Sequence, residues 1–98
     1  MPPLKWSRAA LADVSRLRDF LASSSPDAAR RAASAIRTGV RELSRHPEIG
    51  RPAAEMPAEF REWIIPIGHG AYVVLYRFDG HEVVLLAVRH GREAGYQD

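Results

Sequence analysis

The sequence predicts an α+β domain: a short N-terminal strand and a helical hairpin packed on a small antiparallel β-sheet, in the order β-α-α-β-β-β. Three observations carry that expectation. Apolar residues between Ala10 and Leu43 recur at the three- and four-residue spacing of amphipathic helices. Prolines and a glycine then break the pattern between Pro47 and Pro57. From Trp63 to Val88 the chain turns to β-branched and aromatic runs, separated by Gly68-His69-Gly70 and by Asp79-Gly80. With 98 residues the chain is long enough for one core, and residues 1–98 are read as a single domain.

Leu4-Lys5-Trp6 is the first candidate strand. Ser7 suits an N-cap, because its hydroxyl can accept from a first-turn N–H that has no helical partner. Leu11, Val14, Leu17 and Leu21, with Ala10 and Phe20 beside them, then mark a helix of about four turns. Ser23-Ser24-Ser25 interrupts it, and Ser25-Pro26 restarts a helix with a capping side chain and a proline whose missing N–H is harmless in the first turn. On the second helix Ala29, Ala32, Ala33, Ile36, Val40 and Leu43 share a stripe, and its small alanines allow close approach to the first helix. Arg30, Arg37, Arg41 and Arg45 line the other side. No aromatic residue interleaves them, so a solvated face is the simpler reading than a nucleic-acid site. This helix should end at His46-Pro47, since proline disfavours helical geometry in the residue before it. Residues 47–60, holding three of the seven prolines, read as a connecting loop.

Residues 63–67, 71–78 and 82–88 are three candidate strands. Asp79-Gly80 suits a two-residue type I′ turn, which would set Phe78 opposite His81, Tyr76 opposite Val83, and Arg77 opposite Glu82 as a cross-strand ion pair. Pro66 cannot donate to a ladder and pushes its strand to an edge or a bulge. Both faces of the hairpin are apolar: Tyr72, Val74, Tyr76, Val83 and Leu85 on one, Val73, Leu75, Val84, Leu86 and Val88 on the other. One helical hairpin covers only one face. The other is therefore an expected docking surface for another chain or a second copy, and periodicity alone permits either.

The chain has no cysteine, which excludes disulfides, thiolate zinc sites and cysteine nucleophiles. His46, His69, His81 and His90 show no metal-ligand spacing, and neither a metal nor another cofactor is expected. The N-terminus lacks the apolar core of a secretion signal and no run approaches the roughly 18 apolar residues of a membrane span, so a cytoplasmic protein with no membrane partner is expected. The net charge is +2, but 10 of the Lys/Arg residues and only 5 of the Asp/Glu residues precede Pro52. Thirteen of the 14 basic residues are arginine, which suits bidentate contact with phosphate or carboxylate and is equally the mark of a GC-rich genome.

Four pieces in this layout carry a resemblance: Trp6-Ser7 before the first helix, Pro47-Glu48-Ile49-Gly50-Arg51 after the second, Tyr72-Val73-Val74-Leu75-Tyr76 in the sheet, and Val88-Arg89-His90-Gly91-Arg92 at the end. In order and spacing they resemble the RelE/ParE superfamily of toxins from bacterial type II toxin–antitoxin systems across nearly the whole chain. The terminal His-Gly-Arg is most similar to the ParE branch. The resemblance implies a growth-inhibiting toxin neutralised by a cognate antitoxin, one with a DNA-binding N-terminal domain and a C-terminal segment that wraps the toxin. It also implies DNA gyrase as target, without sequence-specific nucleic-acid binding by the toxin itself; the alternatives are a ribosome-dependent messenger-RNA interferase of the RelE type, or a non-toxic homologue that keeps only the antitoxin contact. The RelE branch cuts ribosome-bound messenger RNA with basic residues on its sheet. Two of those lysine positions fall here on Ile64 and Pro66, one arginine position on Val73, and another near Gly91 beside Arg89 and Arg92.

Three of four basic positions are thus aliphatic or proline, and such groups neither neutralise phosphate nor move protons. No catalytic residue is therefore expected. Arg89, His90, Arg92 and Tyr96 are the candidate target-binding residues, two guanidiniums and an imidazole being suited to an acidic partner. Trp63, Val73, Leu75, Val84, Leu86 and Val88 are the candidate antitoxin-binding residues, with the Val73 side favoured as the open face by the resemblance. Trp63 and Trp6 suit interface anchors, or alternatively caps on the two ends of the core.

Overall fold

A computed structural model of the chain describes residues 1–93. Its elements are β1 (Leu4–Trp6), α1 (Arg8–Ala22), α2 (Pro26–Val40), α3 (Glu42–Arg45), β2 (Arg51–Pro52), β3 (Phe60–Ile67), β4 (Gly70–Phe78) and β5 (Val83–His90). The strands form one sheet in the order β1-β5-β4-β3-β2, with β1 parallel to β5 and the other pairs antiparallel. The helices lie on one face, which is the predicted α+β arrangement with one small strand added.

The caps form as the sequence foretells. Ser7 Oγ accepts from the Ala10 N–H at 3.0 Å, and Ser25 Oγ from the Ala28 N–H at 3.2 Å, with Pro26 in the first turn of α2. The helical run stops before His46-Pro47 as expected but is not continuous. It breaks at Arg41, whose N–H bonds the Thr38 carbonyl, and α3 resumes for one turn before His46. The break adjoins Gly39, whose carbonyl accepts the Trp63 indole N–H at 3.0 Å. Ile65 fills the space beside Gly39, where a Cβ would lie 2.7 Å from its side chain. A close backbone approach between helix and sheet thus falls where sequence periodicity reads a continuous helix.

The core lies between helices and sheet. Leu17, Ile36, Val40 and Leu43 pack on Ile65, Tyr72, Val74, Tyr76, Val83 and Leu85, so the helices cover the Tyr72 side of the β4–β5 hairpin. The inward stripe of α1 differs from the periodic reading: Leu11 and Phe20 are 53% and 76% exposed, whereas Asp13 is 7% exposed. Asp13 Oδ2 accepts from the Val88 N–H at 2.8 Å. The reason lies in the sheet. β1 pairs with β5 only as far as Trp6–Leu85, which leaves the rest of that β5 edge without a ladder partner. Side chains satisfy it instead: Ser7 Oγ donates to the Leu86 carbonyl at 3.3 Å, Asp13 takes Val88, and Glu93 Oε2 takes the His90 N–H at 3.1 Å.

Two sheet expectations are corrected. The turn after β4 spans four residues, 79–82, and pairs Phe78 with Val83, Arg77 with Val84 and Tyr76 with Leu85. Asp79 Oδ1 accepts from the His81 and Glu82 N–H groups at 2.8 and 2.9 Å, and only Gly80 takes a positive φ, 94°, whereas a type I′ turn needs two. Glu82 consequently pairs with Lys5 at 3.2 Å rather than with Arg77. A β-bulge then interrupts the register, Tyr76 facing Leu85 while Leu75 faces Ala87. The extra residue reverses the alternation of faces. Val88 accordingly turns inward, 1% exposed, and does not share the face of Val73 and Leu75.

The segment read as a loop also contains β2, paired with Glu62 and Arg61 of β3. Beyond that short pairing β3 has a free edge, and there Pro66 sits, paired only with Ala71 of β4. Above β2, the fully buried Tyr76 hydroxyl donates to the Pro47 carbonyl at 2.8 Å and accepts from the Gly50 N–H at 2.9 Å. Burial raises the Tyr76 pKa above the ordinary tyrosine value. One hydroxyl thereby fixes both ends of the Pro47–Gly50 turn.

Candidate functional site

The face of the sheet away from the helices presents two regions. At one end Ala53, Leu75 and Ala87 form a second buried cluster, with Phe60 and Leu86 packed against it. Ala53 arrives there because its N–H bonds the Phe60 carbonyl just past β2. Beside this cluster a cross-strand row runs Ile64–Val73–Arg89, with Pro66–Ala71 next to it. Ile64 is 37% exposed, while Val73 is buried at 4%. The fold thus sets Ile64, Pro66 and Val73, three of the four positions compared with the RNA-cleaving branch, around a row whose one basic residue is Arg89.

The candidate antitoxin-binding residues divide accordingly. Val73, Leu75, Val84 and Leu86 belong to the open side of the sheet, with Val84 and Leu86 half-buried. Trp63 and Val88 belong to the helical side and pack in the main core, Trp63 through its bond to Gly39. Val88 is a correction, since the bulge turns it inward; for Trp63 the core alternative is the one that fits, its pairing with Val74 placing the ring under α2.

The end of β5 builds the other candidate surface. The Gly91 N–H bonds the Ala71 carbonyl at 2.8 Å and the Glu93 N–H bonds the His90 carbonyl at 3.0 Å, which closes a turn over residues 90–93. His90 meets Tyr72 edge to face, with centroids 5.6 Å apart at 89°. Its Nδ1 accepts from the Arg92 N–H at 3.1 Å, so a neutral His90 carries its proton on Nε2. Arg89 lies on the opposite side of the strand, its Nη1 donating to the Glu93 carbonyl at 3.2 Å. The turn thus separates the predicted cluster: His90 and Arg92 on the helical side, Arg89 on the open side. Tyr96, the remaining candidate, lies outside the described residues.

Glu93 ties this turn to α1. Its Oε1 lies 2.6 Å from Arg16 Nη1, and Arg16 also stands 3.8 Å from Asp13. The hydrogen bond to Arg16 holds the Glu93 carboxyl below its ordinary value of 4.5, assisted by the His90 N–H and opposed by desolvation, and the same bond raises the Arg16 pKa. Sequence reading missed Arg16, Asp13 and Glu93. The available signal was an aspartate three residues past Ala10 and four before Leu17, inside an otherwise apolar helical stripe. Because the folded value of Glu93 is depressed, its contribution is complete above the ordinary value and is lost as pH falls through the lower folded value. Glu93→Gln should lower the melting temperature near pH 7 by a few degrees, about 1 kcal/mol after allowing for the part-exposed partner. The gap to wild type should close in acid. A gap that stays constant on acidification would show that the charge of Glu93 contributes nothing.

Arg16, Leu17, Phe20 and Leu21 of α1 face Tyr72, His90, Arg92 and Glu93 across a groove of about 640 Å³. Among the described residues no three His, Cys, Asp or Glu side chains gather as a metal site, and no helix is long and apolar enough to cross a membrane.

Comparisons with known proteins bear on this geometry. The family model described as the ParE toxin of the type II toxin–antitoxin system parDE matches residues 4–95. Toxin RelE2 of Caulobacter vibrioides is 33% identical over 90 residues, 92% of this chain and 96% of that protein. Toxin RelE3 of the same organism is 32% identical over 81 residues, 83% of this chain and 85% of that protein. Among solved structures, the chromosomal ParDE system from P. aeruginosa superposes with a TM-score of 0.73 at 23% identity, covering 92% of this chain and 96% of that one, a likeness of fold. The toxin–antitoxin complex RelBE2 from Mycobacterium tuberculosis gives 0.62 at 26% identity, covering 92% and 99%.

Proposed function

The chain belongs to the ParE toxin family of type II toxin–antitoxin systems, and from that premise we propose that it blocks growth by binding DNA gyrase rather than by cutting RNA. A cognate antitoxin, laid over the open face of the sheet, holds it silent. One observation carries the choice between the two modes: the row Ile64–Val73–Arg89 with the neighbouring Pro66. RNA cleavage needs several cations around the scissile phosphate and a group to move the proton. A single guanidinium among aliphatic side chains supplies too little of either. The His90–Arg92 turn, with an Nε2–H donor on a neutral His90 and the exposed Arg92, suits contact with an acidic protein surface.

A second reading, messenger-RNA cleavage as in the RelE branch, is favoured by the names of the two Caulobacter relatives. Inducing the chain alone in a bacterial host, while following colony count, DNA integrity and messenger RNA, separates the two. DNA damage with intact messenger RNA is the expected result; cleaved messenger RNA overturns it in favour of the second reading, and unaffected growth overturns both. Installing one cation should not convert the chain. Val73→Arg is expected to leave messenger RNA intact, since Ile64 and Pro66 still leave the phosphates unneutralised. Cleavage by that variant would place the active-site positions elsewhere.

A further inference from the structure

Phe20 is the most exposed aromatic side chain in the described fold, 76% accessible, yet it sits on the rim of a groove rather than on an open helix face. The groove floor is apolar, formed by Leu17, Leu21 and Tyr72, and its far wall is the His90–Arg92 turn. Its charges are unevenly matched. Arg16 is neutralised by Glu93 and Asp13, whereas Arg92 forms no ion pair among the described residues. An occupant that complements this wall carries a large apolar side chain beside a carboxylate, the first to cover Phe20 and the floor, the second to meet Arg92 and the imidazole Nε2–H.

We infer that this groove is the seat of an acidic, apolar-anchored segment of the protein the toxin acts on, with Phe20 as a specificity-determining contact. The inference rests on the reading of the His90–Arg92 turn as target-binding, with which the groove is continuous. It assigns the helical hairpin a share in target recognition, and it leaves the open sheet face to the antitoxin. A lone phosphate or nucleic-acid backbone would leave the apolar floor unused, and one uncompensated arginine is a poor match for a polyanion.

The test uses the whole chain with Phe20→Ala, Phe20→Leu and Arg92→Ala, each induced alone in a bacterial host and each checked for folding by circular dichroism. Phe20 is exposed, so its variants should melt close to wild type. Phe20→Ala should raise the surviving colony count about tenfold or more, Phe20→Leu should remain toxic, and both should be neutralised by the antitoxin that neutralises wild type. If Arg92→Ala is harmless to cells while Phe20→Ala kills as well as wild type, the groove proposal fails and the target reading stands. If all three variants remain fully toxic, the reading of the turn fails with it. If Phe20→Ala escapes the antitoxin, the groove is an antitoxin seat and the proposal is overturned. Higher toxicity of Phe20→Ala overturns it as well, since the groove would then be occupied by a restraining segment of the chain itself.

Discussion

Gly50→Ala is expected to unfold the chain or come close to it. Gly50 is buried, and a Cβ there would lie 2.6 Å from the Tyr76 hydroxyl oxygen and 2.7 Å from the Glu62 backbone carbonyl. Neither neighbour can give way cheaply. Glu62 is held in β3 between β2 and β4, and the Tyr76 hydroxyl is held by the Pro47 carbonyl and the Gly50 N–H. Overpacking of this kind destabilises by about 1–3 kcal/mol, and loss of the two buried hydrogen bonds adds about 1–3 kcal/mol more. The combined loss of about 2–6 kcal/mol is a large part of the roughly 5–15 kcal/mol available to a domain of this size. Tyr76→Phe isolates the second contribution, since it removes the hydroxyl without adding volume, and it should lose about half as much. Urea unfolding of the three chains decides the matter. A Gly50→Ala midpoint within experimental error of wild type would mean that the turn over residues 47–50 is not held as described.

The same turn explains part of what was legible in the sequence. The segments that carry the family resemblance prove to be anchor points of the fold. Pro47 and Gly50 are the two partners of the Tyr76 hydroxyl, Tyr76 closes the Tyr72–Tyr76 run, and Ser7 both caps α1 and binds the Leu86 carbonyl. The caps and the α2 stripe are readable because they depend on residues within one or two turns of each other. The misses depend on distant partners. The break after Val40 answers to Trp63 and Ile65 of β3, the burial of Asp13 answers to an unpaired N–H on β5, and β2 exists because β3 passes beside it. The bulge at Leu86 is the most consequential miss for the site. One extra residue transferred Val88 to the core and brought Ala87 to the open face, and alternating apolar residues carry no mark of where such a residue sits. The division of Arg89 from His90 and Arg92 follows from the strand's pleat, which continues past the bulge to the end of β5.

With Val88 and Trp63 turned to the helices, the expected antitoxin surface contracts to Val84, Leu86, Ile64 and the edges of Val73 and Leu75. Leu86→Asp is expected to abolish tight antitoxin binding without unfolding the chain. Leu86 is half-buried, packed on the margin of the Ala53–Leu75–Ala87 cluster, so a carboxylate there keeps a route to water while the surface is free. An antitoxin segment laid over it would strip that water away and bury an unpaired charge. If Leu86 is a central contact, the loss is about 2–4 kcal/mol of binding, roughly 30- to 700-fold in affinity. Leu75 is a poorer probe, because at 8% exposure its replacement by Asp would damage the cluster itself. Ile64→Asp supplies the control, since Ile64 is 37% exposed on the same face and its replacement leaves the cluster intact. Calorimetric titration of each folded variant with the antitoxin, and toxicity of each when expressed alone, are the measurements. Both variants should remain toxic alone and escape neutralisation, since the His90–Arg92 turn and the Phe20 groove lie on the other side of the sheet. Unchanged affinity in both would move the antitoxin off this face and leave the apolar surface to a second copy of the chain, which sedimentation of wild type against Ile64→Asp would then detect as a dimer lost.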